Sequence, residues 1–108
     1  MAFRSGWTEQ VFRHVVMFRW RKDSGPEEQA AAVAALQEFA LAVADLGSVS
    51  VGRDAGLDEA NFDVVVVVDF PDVASYRAYA SDPRHLELIA THIRPCLDHR
   101  VAVQAELA

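Results

Sequence analysis

Three side chains in this sequence have the chemistry to work together on a small molecule: Tyr79, His85 and His14. Tyr79 opens the run "YASDPRHLELIATH", and His85 follows one short turn later. The "SDPRH" part reads as a helix start, with Asp82 as the cap and Pro83 at the first helical position. His85 is then the third residue of that helix. The positive end of a helix disfavours an imidazolium by about 0.3–1 kcal/mol. Burial against Leu86 and Ile89 disfavours it further. Both effects favour the neutral ring that a general base requires. A phenol close by can donate to a carbonyl oxygen and stabilise an enolate. Base and donor together are a minimal set for removing a proton next to a carbonyl. The alternative is packing. His85 can staple its turn to Asp82 or to backbone, and Tyr79 can be a core aromatic with its hydroxyl at the rim. His14, set among Phe12, Val16 and Phe18, can equally be a satisfied core histidine.

These residues need elements to hold them. "VFRHVVMFRW", Val11 to Trp20, alternates strictly. His14, Val16, Phe18 and Trp20 share one face, and Val15 and Met17 share the other, so the segment reads as a strand. "KDSGPEE" breaks the pattern, and Ser24 with Glu27 fits a capping box. Pro26 to about Leu46 is an Ala-rich helix whose stripe includes Val33, Leu36 and Val43, with Gly47 as its stop. Val49 to Arg53 is a short strand. "FDVVVVVDF", Phe62 to Phe70, is a strand apolar on both faces. Asp72 caps a short helix, and Pro83 opens another with Leu86, Ile89 and Ile93 as its stripe. "HRVAVQAEL" closes the chain as a strand.

The order β-α-β-β-α-β is the ferredoxin-like arrangement, an α+β fold with a four-stranded antiparallel sheet and helices on one face. The opposite face carries Val15, Met17, Val65 and Val67, which is too apolar to leave in water. A second copy of the chain is the economical cover, which predicts a homodimer built as an α/β barrel. The inner faces of these elements bound the space between sheet and helices. His14, Val16 and Phe18 wall it from the first strand, and Val64 and Val66 from the third. Val33, Leu36, Leu86 and Ile89 close it from the helices.

Composition narrows the function. The chain has 108 residues, suiting one domain at residues 11–108 behind a flexible arm at residues 1–10. Its net charge of −6 argues against nucleic acid and against an anionic membrane surface. The single cysteine excludes an intrachain disulfide and a thiol-rich metal site. His85, His92 and His99 recur every seven residues, which is too far apart for joint chelation on one helix, so no metal is expected. "VGRDAG" lacks the spacing of a phosphate loop, and no other cofactor motif is visible. No signal peptide or membrane span is evident, and the protein reads as cytoplasmic.

"HVVMFRW", "FDVVVVVDF", "YRAYASDPRHLELIATHIRP" and "RVAVQAEL" together resemble the stress-responsive dimeric α/β-barrel family, Dabb. The resemblance covers nearly everything after residue 10. It implies the ferredoxin-like dimer with a pocket under the helices. Many members have no established reaction. One plant member, olivetolic acid cyclase, closes a polyketide by aldol chemistry. Its catalytic tyrosine and histidine fall on Tyr79 and His85, and its first-strand histidine falls on His14. A second pocket histidine falls on Val64, and a pocket tyrosine falls near Leu36 or Gln37, so those two are missing. The resemblance thus implies either a binding module for a small apolar or aromatic molecule or a cofactor-free cyclase or lyase. A cofactor-free monooxygenase follows from fold analogy alone. A protein whose role is its own stability or assembly is the remaining reading.

Overall fold

A computed structural model describes residues 10–108. The expected arm at residues 1–10 lies outside that range except for Gln10. The elements run β1 (Val11–Trp20), α1 (Pro26–Ala42), β2 (Ser48–Arg53), β3 (Val64–Phe70), α2 (Val73–Ser81), α3 (Pro83–Leu88) and β4 (Leu97–Leu107). A π-helical segment, Ile89–Ile93, and a 3-10 turn, Arg94–Cys96, join α3 to β4. The strands form one antiparallel sheet in the order β2-β3-β1-β4, the ferredoxin-like topology.

Alternation builds the two faces of the sheet. Val16, Phe18 and Trp20 of β1 and Val64, Val66, Val68 and Phe70 of β3 are buried on the helix side. Ala32, Val33, Leu36 and Phe39 of α1 and Val43 just beyond it pack onto them. Met17, Val101 and Val103 of the other face remain exposed. Val15 pairs with Val67 and Val103, and Met17 with Val65 and Val101, so one apolar surface spans three strands. Arg13 and Asp69 close one end of it with a two-pronged ion pair at 2.7 and 2.9 Å.

Four local expectations are corrected. The cap of α1 is Gly25, not Ser24, and the reciprocal acid is Glu28, whose Oε1 accepts from the Gly25 amide at 3.1 Å. Ser24 instead turns its hydroxyl back to the Arg21 carbonyl, an alternative bond that serine readily makes. The helix ends at Ala42, and a turn continues to Leu46. Strand β3 starts at Val64, because the Asp63 amide donates to Phe18 O and its carboxylate accepts from the Trp20 amide. Phe62 leaves the sheet and lies under the Arg19 guanidinium, 4.3 Å from the ring centre.

β4 is an edge strand of the sheet. Its inner-face residues Arg100, Ala102 and Gln104 pair with Phe18, Val16 and His14, yet all three are exposed. No helix among the described residues is long and apolar enough to cross a membrane.

Candidate functional site

The site lies where β1, the C-terminal half of α2 and the start of α3 meet. Asp72 caps α2 by accepting from the Ser75 amide at 2.8 Å, and Asp82 caps α3 by accepting from the Arg84 amide at 2.8 Å. The extended backbone of Asp82 breaks the chain between the two helices. That break sets Tyr79 at the end of one helix against His85 at the start of the next, with ring centres 4.7 Å apart. Arg84 pins the corner to α1, donating to Ala42 O at 2.6 Å and pairing with Asp45 at 3.1 Å. His14 approaches Tyr79 from the sheet at 6.2 Å between ring centres. Phe39 packs on both Tyr79 and His85, at 5.7 and 6.0 Å.

Hydrogen bonds fix the proton on each imidazole. His85 Nδ1 lies 3.1 Å from the Ala80 carbonyl, which can only accept, so Nδ1 carries the hydrogen. In the neutral ring Nε2 then keeps its lone pair. For His14 the order is reversed. The Gln104 side-chain amide donates to Nδ1 at 2.8 Å, so the hydrogen of the neutral ring sits on Nε2. Neutral His85 thus keeps its lone pair on Nε2, and neutral His14 its hydrogen on Nε2.

Electrostatics keep both rings uncharged. Burial pushes the His14 pKa down to about 4, with repulsion from Arg100 and His85 adding to it. Burial also lowers His85, and Arg100 adds to this, while the Ala80 carbonyl and the Asp82 carboxylate oppose it. Burial raises the Tyr79 phenol above its ordinary value, so it remains a donor at neutral pH. Of the two staples the sequence offers His85, the backbone one forms: Nδ1 reaches the Ala80 carbonyl and not the Asp82 carboxylate.

His14, Val16, Phe18, Leu36, Val66, Tyr79, His85 and Ile89 surround one hollow, together with Leu88 and Arg100. Its cavity volume is about 20 Å³, room for one water-sized body. Three expected wall residues are elsewhere. Val33 and Val64 are buried in the core away from the hollow, and Leu86 is 56% exposed. Helical geometry explains Leu86: once His85 points inward, Leu88 and Ile89 lie three and four residues on, on the same face. The π-helical segment then adds a residue to the turn, which returns Ile93 to the core. Leu88 and Arg100 are additions. Arg100 alternates with Val101 and Val103, and the register that pairs it with Phe18 puts it on the inner face. A larger hollow of about 360 Å³ lies by the bare face of the sheet, between Met17, Arg53, Asp54, Phe62 and Val65. It has no histidine or tyrosine in its wall and opens widely to solvent.

The sequence profile of the Stress responsive A/B Barrel Domain family, Dabb, matches residues 12–107. The chain belongs to the Dabb family. A dimeric ferredoxin-like protein of unknown function from Thermobifida fusca is 33% identical, with 96% of this chain and 97% of that one covered at a TM-score of 0.81. A Dabb protein from Mesorhizobium loti shares the fold at 17% identity, 89% and 95% coverage and a TM-score of 0.74. A hydroxynitrile lyase from Passiflora edulis shares it at 20% identity, 94% and 96% coverage and a TM-score of 0.78. No curated protein matches the chain by sequence search. Tyr79, His85 and His14 of this Dabb domain thus stand on three elements of a shared scaffold.

Proposed function

We propose that this Dabb protein is a homodimer in which each protomer holds a small apolar or aromatic molecule between its sheet and helices. One observation supports the pocket: a hollow lined by Val16, Phe18, Leu36, Val66, Leu88 and Ile89 whose wall also holds His85, His14 and Tyr79. Apolar walls with a few placed polar groups are the usual design of a small-molecule site. The exposed valine and methionine surface on the sheet's other face supports the homodimer, as do relatives described as dimeric. Methyl-labelled NMR with benzaldehyde as probe tests the pocket. Shifts are expected at Val16, Leu36, Val66, Leu88 and Ile89, and Leu36→Trp, which fills the hollow, should abolish them. Shifts confined to the larger hollow near Met17 and Phe62 would overturn the assignment.

A second reading is favoured by the proton arrangement at His85. With Nδ1 held by Ala80, Nε2 is set to take a proton from a substrate, while Tyr79 donates to its oxygen. That pair suits aldol ring closure, in which a C–H proton leaves to His85 and the resulting enolate attacks a second carbonyl. It equally suits lyase chemistry of the kind named for the Passiflora protein. There His85 would take the hydroxyl proton of a cyanohydrin, the bond to the nitrile carbon would break, and cyanide would leave with the electron pair. Solvent deuterium exchange at the α-carbon of phenylacetone measures the proton step without presuming the full reaction. His85→Ala should reduce exchange by roughly 10²–10⁴-fold with the fold intact. Unchanged exchange would remove the catalytic reading and leave binding alone.

A further inference from the structure

We propose that Arg100 makes this pocket selective for small carboxylates, gripping the anionic group at the mouth while the apolar remainder enters the hollow. The inference rests on the pocket reading above and adds the ligand's charge to it.

Three observations converge. First, β4 places Arg100, Ala102 and Gln104 in one row on the inner face, opposite Phe18, Val16 and His14. Gln104 already serves the site by holding His14. Arg100 is two steps along the same row, and Ala102 between them is small. Second, among the described residues Arg100 is the only arginine or lysine in the wall of the hollow, and no described carboxylate accompanies it there. Among the described residues none of the ion pairs involves Arg100, whereas Arg13, Arg21 and Arg84 each have a carboxylate. Third, the two imidazoles of the wall stay neutral and Arg100 acts on both by repulsion, so its charge is felt inside the site. An exposed guanidinium at the mouth of the hollow, in a chain of net charge −6, is a local reversal of sign. The planar fork of arginine matches a carboxylate with two parallel hydrogen bonds. A carboxylate seated there would also relieve the repulsion on His14 and His85.

Benzoate and benzamide, alike in shape and different in charge, separate the possibilities. Both are titrated into the full-length protein and its Arg100→Gln and Arg100→Lys variants, with methyl NMR as readout. The expected result is tighter binding of benzoate than of benzamide by the parent protein. Arg100→Gln should weaken benzoate about tenfold or more and benzamide by less than about twofold. Added salt should weaken benzoate alone. Arg100→Lys, which keeps the charge and loses the fork, should fall between. If both probes shift the Leu36 and Val66 methyls equally in parent and variant, the carboxylate inference fails and the pocket reading stands. If neither probe shifts those methyls, both fail.

Discussion

At the scale of single residues, the histidines are defined by what their Nδ1 atoms touch. His14 is 3% exposed and its pKa is held down to about 4, from 6.5 in the unfolded chain. Between those values the unfolded chain binds a proton that the folded chain refuses, so stability falls as pH drops from about 6.5 to about 4. Allowing for solvent screening at the mouth, the loss is on the order of 2 kcal/mol. Urea midpoints followed by tryptophan fluorescence should show this slope, and His14→Gln should flatten it. Below about 4 His14 protonates in both states, and any further loss belongs to carboxylates such as Asp82, whose pKa is held at about 2 by Arg84. The roles of these residues were only half legible in the sequence. The Asp-Pro start placed His85 on the first turn of a helix, and alternation placed His14 on the inner face. The bonds to Ala80 and Gln104 depend on a helix break and on a strand pairing across 90 positions, which no local pattern records.

At the scale of elements, the strands were the most legible parts, because alternation survives in β1 and β3 whatever their neighbours do. Boundaries were less so. Ser24 and Gly25 both suit a cap, and the choice was made by Ser24's own bond to Arg21. Leu86 was misplaced for a reason of period: a stripe drawn through Leu86, Ile89 and Ile93 presumes unbroken α geometry, and the π-helical segment interrupts it. Gly47 was expected as a helix stop, but its role is closeness. A Cβ there would meet Phe70 Cε1 at 2.7 Å and Val68 Cγ1 at 3.1 Å. Phe70 is 2% exposed and has nowhere to retreat. Gly47→Ala should therefore cost on the order of 1–3 kcal/mol, read as a lower urea midpoint with an unchanged slope. A substitution tolerated within a few tenths would show that the turn before β2 gives way instead.

At the scale of the whole molecule, the sheet has one covered face and one bare one. Met17, Val101 and Val103 are 39%, 41% and 58% exposed on the bare face, side by side with Val15 and Val65. Val103→Asp puts a charge in the middle of that surface and should convert the proposed dimer to monomers in sedimentation, while leaving the helix-side core untouched. A protein that sediments as a monomer without the substitution would contradict the pairing. The bare face itself was readable from the sequence, since the alternation of β1 and of Val64–Val68 puts apolar residues on both sides of the sheet. The size of the hollow was not readable, because it depends on how far Phe39, Tyr79 and Leu88 lean together. At about 20 Å³ it cannot admit even a benzene ring as it stands. A guest of the proposed pocket would have to wait for the wall to breathe. Rates of capture will then level off at high guest concentration, at the frequency of that breathing, and measured affinities will be weaker than the contacts alone would give.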